Sequence, residues 1–276
     1  HGLMLNLPRF SAARRRLCHG LAWALLATAA AAADRRELTF CYENENIRPW
    51  QYRDGSGLNF ELLDRVAARL GLNFRYRTAP WKRCLLELKN NTLSGVLDAS
   101  FKVERLESGA YPSHPGNPAA VDPGKALHVE RYVGVRRRGT SVDWNGRHFE
   151  HLENPAGAPL GYSVVDDLRS AGVAVDDGAH TTLDVLQKLL RGRIDVAVLL
   201  QGEVAALLAE DPALDGKVEV LPRPYADEPY YLMLSHRLLR AEPELARRIW
   251  SAIAQERSTP EWQARERRTL GGGPSR

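Results

Sequence analysis

Residues 37–101 constrain the fold more tightly than any other stretch. "ELTFCYE" (37–43) alternates with a period of two, as a strand does. "LNFELLDRVAARLG" follows, with Phe60, Leu63, Val66, Ala67 and Leu70 at helical spacing and Gly71 placed as a C-cap. "LNFRYRT" (72–78) returns to the period of two, with Leu72, Phe74 and Tyr76 on one face. "PWKRCLLELKNN" opens on Pro80, a residue suited to a helix start, and continues through Leu85, Leu86 and Leu88. "GVLDASF" closes the series as a buried strand. Strand, helix, strand, helix and strand with short links is the pattern of a parallel, doubly wound α/β sheet. Ligands bind such a sheet at the carboxyl ends of its strands. The third strand ends in Ser100 and Phe101 and runs on to Arg105. A hydroxyl, a ring and a guanidinium therefore stand where a ligand would bind. An ordinary strand exit with a surface arginine would look the same.

The segment 113–124 is rich in Pro and Gly, lacks a period and reads as a surface loop. "HVERYVGVRRRG" (128–139) is strand-like. A second α/β series follows. "APLGYSVVDDLRSAG" reads as strand, turn and helix, and "VAVDD" as a strand. "TTLDVLQKLLRG" is a helix with Leu183, Leu186, Leu189 and Leu190 on one side, followed by the strand "IDVAVLL" and the helix "QGEVAALLAED". "KVEVLP" and "YYLMLS" are further strands. A long helix and a shorter one end the ordered chain, with residues 265–276 expected to fray. Because strand and helix resume after the second series, the economical arrangement inserts it into the first. That gives one lobe from 34–131 and 226–264, an inserted lobe at 132–225, and a cleft between them.

Residues 1–33 form a separate unit of meaning. Arg14, Arg15 and Arg16 precede a short apolar run and an Ala-x-Ala end before Asp34, the order of a cleaved secretory signal peptide. The apolar run is too short for a membrane span, and Cys18 is not placed for lipid attachment. Four of the 38 basic residues and none of the 34 acids lie there, so the remainder is formally neutral. The overall net charge of +4 thus gives no support for nucleic-acid binding. Cys41 and Cys84 remain after the leader. In an oxidising compartment such a pair is expected to be bridged, the alternative being two separately buried thiols.

Several segments in order resemble the type II periplasmic solute-binding proteins of the polar amino-acid class, which serve ABC importers. "PWQYRDGSGLNFELLDRVAARLG", "ASFKVER", "LLRGRIDVAVL" and "YYLMLS" followed by an amphipathic helix carry the likeness, over roughly residues 38–262. The resemblance implies two lobes, each a mostly parallel sheet flanked by helices, joined by two crossover strands. It implies a periplasmic monomer that takes a small polar, carboxylate-bearing solute to a membrane permease and needs no cofactor. It assigns Arg105 to the ligand carboxylate, a task suited to a planar fork of donors. Ser100 and Phe101 accompany it, Trp50 forms an aromatic wall, and Gly161, Tyr162 and Ser163 supply a helix N-terminus that favours an anion.

The chain also departs from that pattern. Relatives place an acid after the strand matching "IDVAVLL" to hold a ligand ammonium, whereas here Gln201 stands there and Glu203 follows. Tyr42 and Glu43 replace another polar stretch near the cleft, and Trp81 with Arg83 suggests a distinct pocket. An enzyme reading finds little to use. His148 and His151 lack further ligands at suitable spacing, so no metal site is expected. No nucleophile elbow, phosphate loop or dinucleotide fingerprint occurs. A dehydratase-like activity using Glu43 or Glu203 stays open, as does a role presenting ligand to a separate sensor.

Overall fold

A computed structural model describes Gly2 and residues 35–270. The rest of the leader, Cys18 included, Asp34 and the last six residues lie outside the described residues. The first series folds as the periodicity predicts. Strand β1 (Glu37–Glu43) is followed by helix α1 (Leu58–Leu70), β2 (Asn73–Ala79), α2 (Trp81–Lys89) and β3 (Gly95–Ser100). Helix α1 buries Phe60, Leu63, Val66 and Ala67 and ends on Gly71 at φ 67°, a left-handed position that glycine takes without strain. Helix α2 buries Cys84, Glu87 and Leu88, while Leu86 turns to solvent. Strands β2, β1 and β3 pair in that order and run parallel.

The stretch read as a surface loop holds a small hairpin, β4 (Ser113–His114) and β5 (Asn117–Val121). Next come β6 (His128–Arg137), the short pair β7 (Asp143–Trp144) and β8 (Phe149–Glu150), and β9 (Ala156–Pro159). Helix α3 (Ser163–Ser170), β10 (Val175–Ala179), α4 (Thr182–Leu190), β11 (Val196–Leu200) and α5 (Gln201–Glu210) complete the second series. Strands β10, β9 and β11 again run parallel. Helix α4 buries Val185, Leu186 and Leu189, while Leu183 is exposed, so its apolar face is turned by one residue from the predicted leucine row. A short helix α6 (Pro212–Asp215), β12 (Val218–Val220), β13 (Ala226–Leu234) and helices α7 (His236–Ala241), α8 (Pro243–Arg257) and α9 (Pro260–Leu270) follow. Helix α9 continues through residues read as a frayed tail. Arg265 donates two hydrogen bonds to the Glu61 carboxylate and so ties that helix to α1.

The strands form one sheet in the order β10-β9-β11-β6-β13-β3-β1-β2, with β12 beside β6. Two parallel trios thus flank a central antiparallel pair. Strand β6 pairs with β13 near its start and with β11 and β12 along its length, and β13 pairs with β3. These two strands are the links between the halves. The expected boundaries at 131/132 and 225/226 fall within β6 and at the start of β13. Among the described residues no helix is long and apolar enough to cross a membrane.

Cys41 and Cys84 are bonded, joining β1 to α2, and both are fully buried beside Leu88, Val96 and Tyr111. The bond closes a 43-residue separation. Replacing both cysteines by alanine is expected to cost about 2–4 kcal/mol and lower the melting temperature without abolishing the fold. Calorimetric melts of the two proteins would measure it. An unchanged transition would mean that packing alone holds α2 in place.

Candidate functional site

The carboxyl ends of β1 and β3, the start of α2, the two linking strands and the β9–α3 turn converge on one small cavity. Of the residues singled out in the sequence, Glu43, Trp81, Ser100, Arg105, Gly161, Tyr162 and Ser163 line it. Asp98, Tyr132 and Tyr230 line it too, with Ile47, Leu97 and Leu200 as apolar floor.

Arg105 lies in a short 3-10 turn (Val103–Glu107) after β3. Its Nη1 donates to the Ser100 carbonyl at 2.7 Å and to Ser100 Oγ at 2.8 Å. Its Nη2 reaches the Gly161 carbonyl in the other half at 3.3 Å. The guanidinium also lies 5.2 Å from the centroid of the Trp81 ring, a cation–π arrangement. Further contacts join the halves around it. Lys102 pairs with Asp167 at 2.6 Å. Ser163 Oγ donates to Glu228 at 2.6 Å, so the start of α3 already faces a carboxylate of β13.

The acids of the cavity are unusual for their burial. Glu43 sits at the end of β1 within hydrogen-bonding reach of the Tyr162 hydroxyl. Desolvation pushes its carboxyl up to about 7, the Glu45 charge adds to the rise, and Arg105 opposes it. Asp98 is 6 % exposed and has a φ of 63°, inside a strand. The pairing of β3 with β13 shifts register between Tyr231 and Met233, so Leu97 and Asp98 together oppose one residue. This is a β-bulge, a device that re-aims a side chain. Asn59 Nδ2 donates to Asp98 Oδ1 at 3.1 Å, and His128 Nε2 stands 3.4 Å from the same oxygen. Burial pushes Asp98 up to about 8, with Glu130 and Glu43 raising it further. His128 is fully buried, and desolvation holds it well below the usual imidazole range, so it is neutral.

Four predicted residues and two flanking ones stand elsewhere. Trp50 is not a wall of the cavity. Its Nε1 donates to Glu130, and its ring stacks on His128 at 4.0 Å, which in turn stacks on Tyr230 at 5.4 Å. Trp50 therefore backs the wall that Tyr230 presents. Tyr42 packs edge-on against Phe60 and donates its hydroxyl to the Arg53 carbonyl. Phe101 packs edge-on against Tyr111. Gln201 is exposed and lines a separate groove beside Trp50 and Arg131. Arg83 is exposed and pairs with Glu87 along α2. Glu203 is buried and accepts from the Arg48 backbone at 2.7 Å and from its side chain. Both Glu203 oxygens are thus turned to Arg48 rather than to a ligand. His148 bonds Asn145 in an exposed turn, and among the described residues no group of three metal-ligating side chains occurs.

The contact at Arg48 is close. A Cβ on Gly202, at the start of α5, would lie 2.0 Å from the Arg48 carbonyl oxygen of the first half. Gly202→Ala is therefore expected to wedge the halves apart. A cost of about 2 kcal/mol, read as a melting temperature lower by several degrees, is the expected result. An unshifted melt would show that this contact adapts.

The fold has many counterparts. A histidine kinase sensor domain with similarity to periplasmic binding proteins superposes with a TM-score of 0.66 and 16% identity, over 86% of this chain and 97% of that one. The arginine-, lysine-, histidine-binding protein ArtJ from Geobacillus stearothermophilus gives 0.65 and 16%, over 87% and 97%. An ancestral arginine-binding protein bound to arginine gives 0.64 and 17%, over 86% and 99%. No protein-family model matches the sequence, and no curated protein matches it. At these identities the likeness defines the fold: the chain has the architecture of the type II periplasmic binding proteins.

Proposed function

We propose that this protein is an exported solute-binding protein that closes over a small, polar, amino-acid-like solute and presents it to a membrane permease of the ABC importer type. The observation that carries the reading is the cavity itself. Arg105 and the acids Glu43 and Asp98 line the same space between two halves of the sheet, under the rings of Trp81, Tyr132, Tyr162 and Tyr230. A site with one fixed cation and two acids, the acids on the adjacent strands β1 and β3, suits a solute that carries both charges. Similar folds that bind arginine support it, and the basic-apolar-alanine leader supports export to the periplasm. The chain acts as a monomer with no cofactor. Binding energy gained from the second half favours the closed arrangement, and closure is what a permease reads.

A thermal-shift screen over amino acids and small carboxylates, followed by native mass spectrometry, tests this. Stoichiometric binding of one such solute supports it, and a blank screen rejects it. One observation favours a second reading. Glu43, with its carboxyl near neutrality inside a cavity, has the property a general acid or base needs. Recovery of the bound solute unchanged after long incubation favours the carrier. Turnover abolished by Glu43→Gln establishes an enzyme.

A further inference from the structure

The polar groups of the cavity are not equally provided for. Arg105 already gives its Nη donors to the Ser100 carbonyl, Ser100 Oγ and the Gly161 carbonyl. Ser163 Oγ is taken by Glu228. The anion-binding side of the site is thus largely occupied by the protein's own acceptors. Asp98 differs. Its Oδ1 accepts from Asn59, but its Oδ2 is buried and has no hydrogen-bond partner among the described residues. A buried polar oxygen without a partner is costly, so such an atom calls for an explanation.

Its backbone gives the same message. Asp98 holds a left-handed φ of 63° in the middle of a strand, at a bulge against β13. Strain of this kind persists where the surroundings over-determine it, and it concentrates at ligand sites. The neighbours on the protein side cannot meet the demand. Asn59 Oδ1 faces His128 Nδ1 at 3.0 Å, so that nitrogen carries the proton of the neutral ring. Nε2 is then a bare acceptor: it can take the proton of a neutral Asp98 carboxyl, but it offers the ionised carboxylate no donor.

We propose that Asp98 is the cation anchor of the site: its free carboxylate oxygen takes a positively charged nitrogen of the solute, which the tyrosines 132 and 230 flank. The inference rests on the solute-binding reading and adds to it the residue that selects for charge. It places the amine recognition on β3 of the first half, at a bulge, and not at Gln201, where the sequence pattern looks for an acid. Glu43, on the adjacent strand end, is the second acid within the same cavity. The aromatic faces of Tyr132 and Tyr230, whose hydroxyls bond each other at 2.9 Å, suit an ammonium or guanidinium. The feature Asp98 demands of the solute is therefore a cationic nitrogen, while a carboxylate, where the solute carries one, is left to Arg105.

Three probes of similar chain length separate these demands. Ornithine carries amines and a carboxylate, putrescine only amines, and glutarate only carboxylates. Ornithine and putrescine are expected to bind at millimolar concentration or below, and glutarate is not. Asp98→Asn should weaken ornithine by at least about 30-fold, as truncating a buried charge partner does. Asparagine matches the shape and tolerates a left-handed φ, so the fold should survive. In the absence of solute the same variant should melt higher than the parent at about pH 8.5, because an unpaired acid is gone. A lower melt would mark Asp98 as a structural partner of Asn59 and overturn the anchor. Unchanged affinity of Asp98→Asn for ornithine or putrescine overturns it as well. Binding of glutarate alone removes the anchor and leaves the solute-binding reading standing. No binding of any of the three also removes the anchor, and the solute-binding reading falls with it only if the wider amino-acid and carboxylate screen is blank.

Discussion

Replacing Arg105 by alanine will weaken solute binding by roughly 30- to 1000-fold, the equivalent of about 2–4 kcal/mol for a charge-assisted contact in a closed site. The residue acts twice. It holds Ser100 of one half and Gly161 of the other on a single planar group, and in the proposed site it also offers a fixed positive charge to the solute. Arg105→Lys should recover only part of the loss, because an ammonium keeps the charge but cannot bond both halves in one plane. Stability should change little. Arg105 is only partly buried, and the Ser100 carbonyl keeps a second donor in the Tyr111 hydroxyl at 2.6 Å. Calorimetry with a solute from the screen measures the effect, and an affinity equal to that of the parent would remove Arg105 from the binding machinery.

The ligand-free protein should melt lower as pH rises. Three buried carboxyls are pushed upward, Glu43 and Glu130 to about 7 and Asp98 to about 8, each mainly by desolvation. Glu45, Arg105 and Tyr162 act on Glu43; the Trp50 Nε1–H, the backbone N–H groups of Arg131 and Gly202 and the Glu203 charge act on Glu130; Asn59, the neutral His128 and the charges of Glu130 and Glu43 act on Asp98. An acid that is neutral when buried and ionised when unfolded binds more protons in the folded state. Raising the pH therefore favours the unfolded chain. The stability these groups lend is complete below about pH 4 and is lost as the pH passes 7 and 8. Between about pH 5 and pH 8.5 a loss of about 3 kcal/mol or more is expected, worth about 6–12 °C in a domain of this size. Differential scanning across that interval should show the fall, flattened in Glu43→Gln and Asp98→Asn. A melting temperature that rises with pH would contradict it.

How far the sequence could be read depended on where each residue's partners lie. The helices and parallel strands of residues 37–100 are written locally, in the period of their apolar residues and in Pro80 and Gly71. Ser100 and Arg105 were legible because a strand end and the turn after it keep their order in any such sheet. Asp98 was not. In "GVLDASF" it looks like an acid misplaced in a buried strand. Only the bulge against β13, which the chain supplies far later, turns it toward the cavity. Tyr132 and Tyr230 escaped notice for a similar reason: they sit on linking strands whose pairing is a tertiary fact. Trp50 misled in the opposite direction. A tryptophan after proline resembles a wall, but Glu130 and His128 of β6 draw its polar edge and its face inward. Gln201 points to the other groove because its helix starts against Arg48, a close approach no local pattern announces.

The central pair β6 and β13 would set the mechanics of the proposed capture. Two hydrogen-bonded strands side by side bend as one leaf, so they act as a spine with a single axis. Displacement grows with distance from such an axis. Tyr132 and Tyr230, on the spine itself, would hold their relation to each other through any opening, while Lys102 and Asp167 at the rim would travel furthest. A solute would thus meet a floor of constant shape first and feel the rim last. Selection for the solute's chemistry would occur at the floor, and the lever arm of the rim would turn that choice into a movement large enough for another protein to sense.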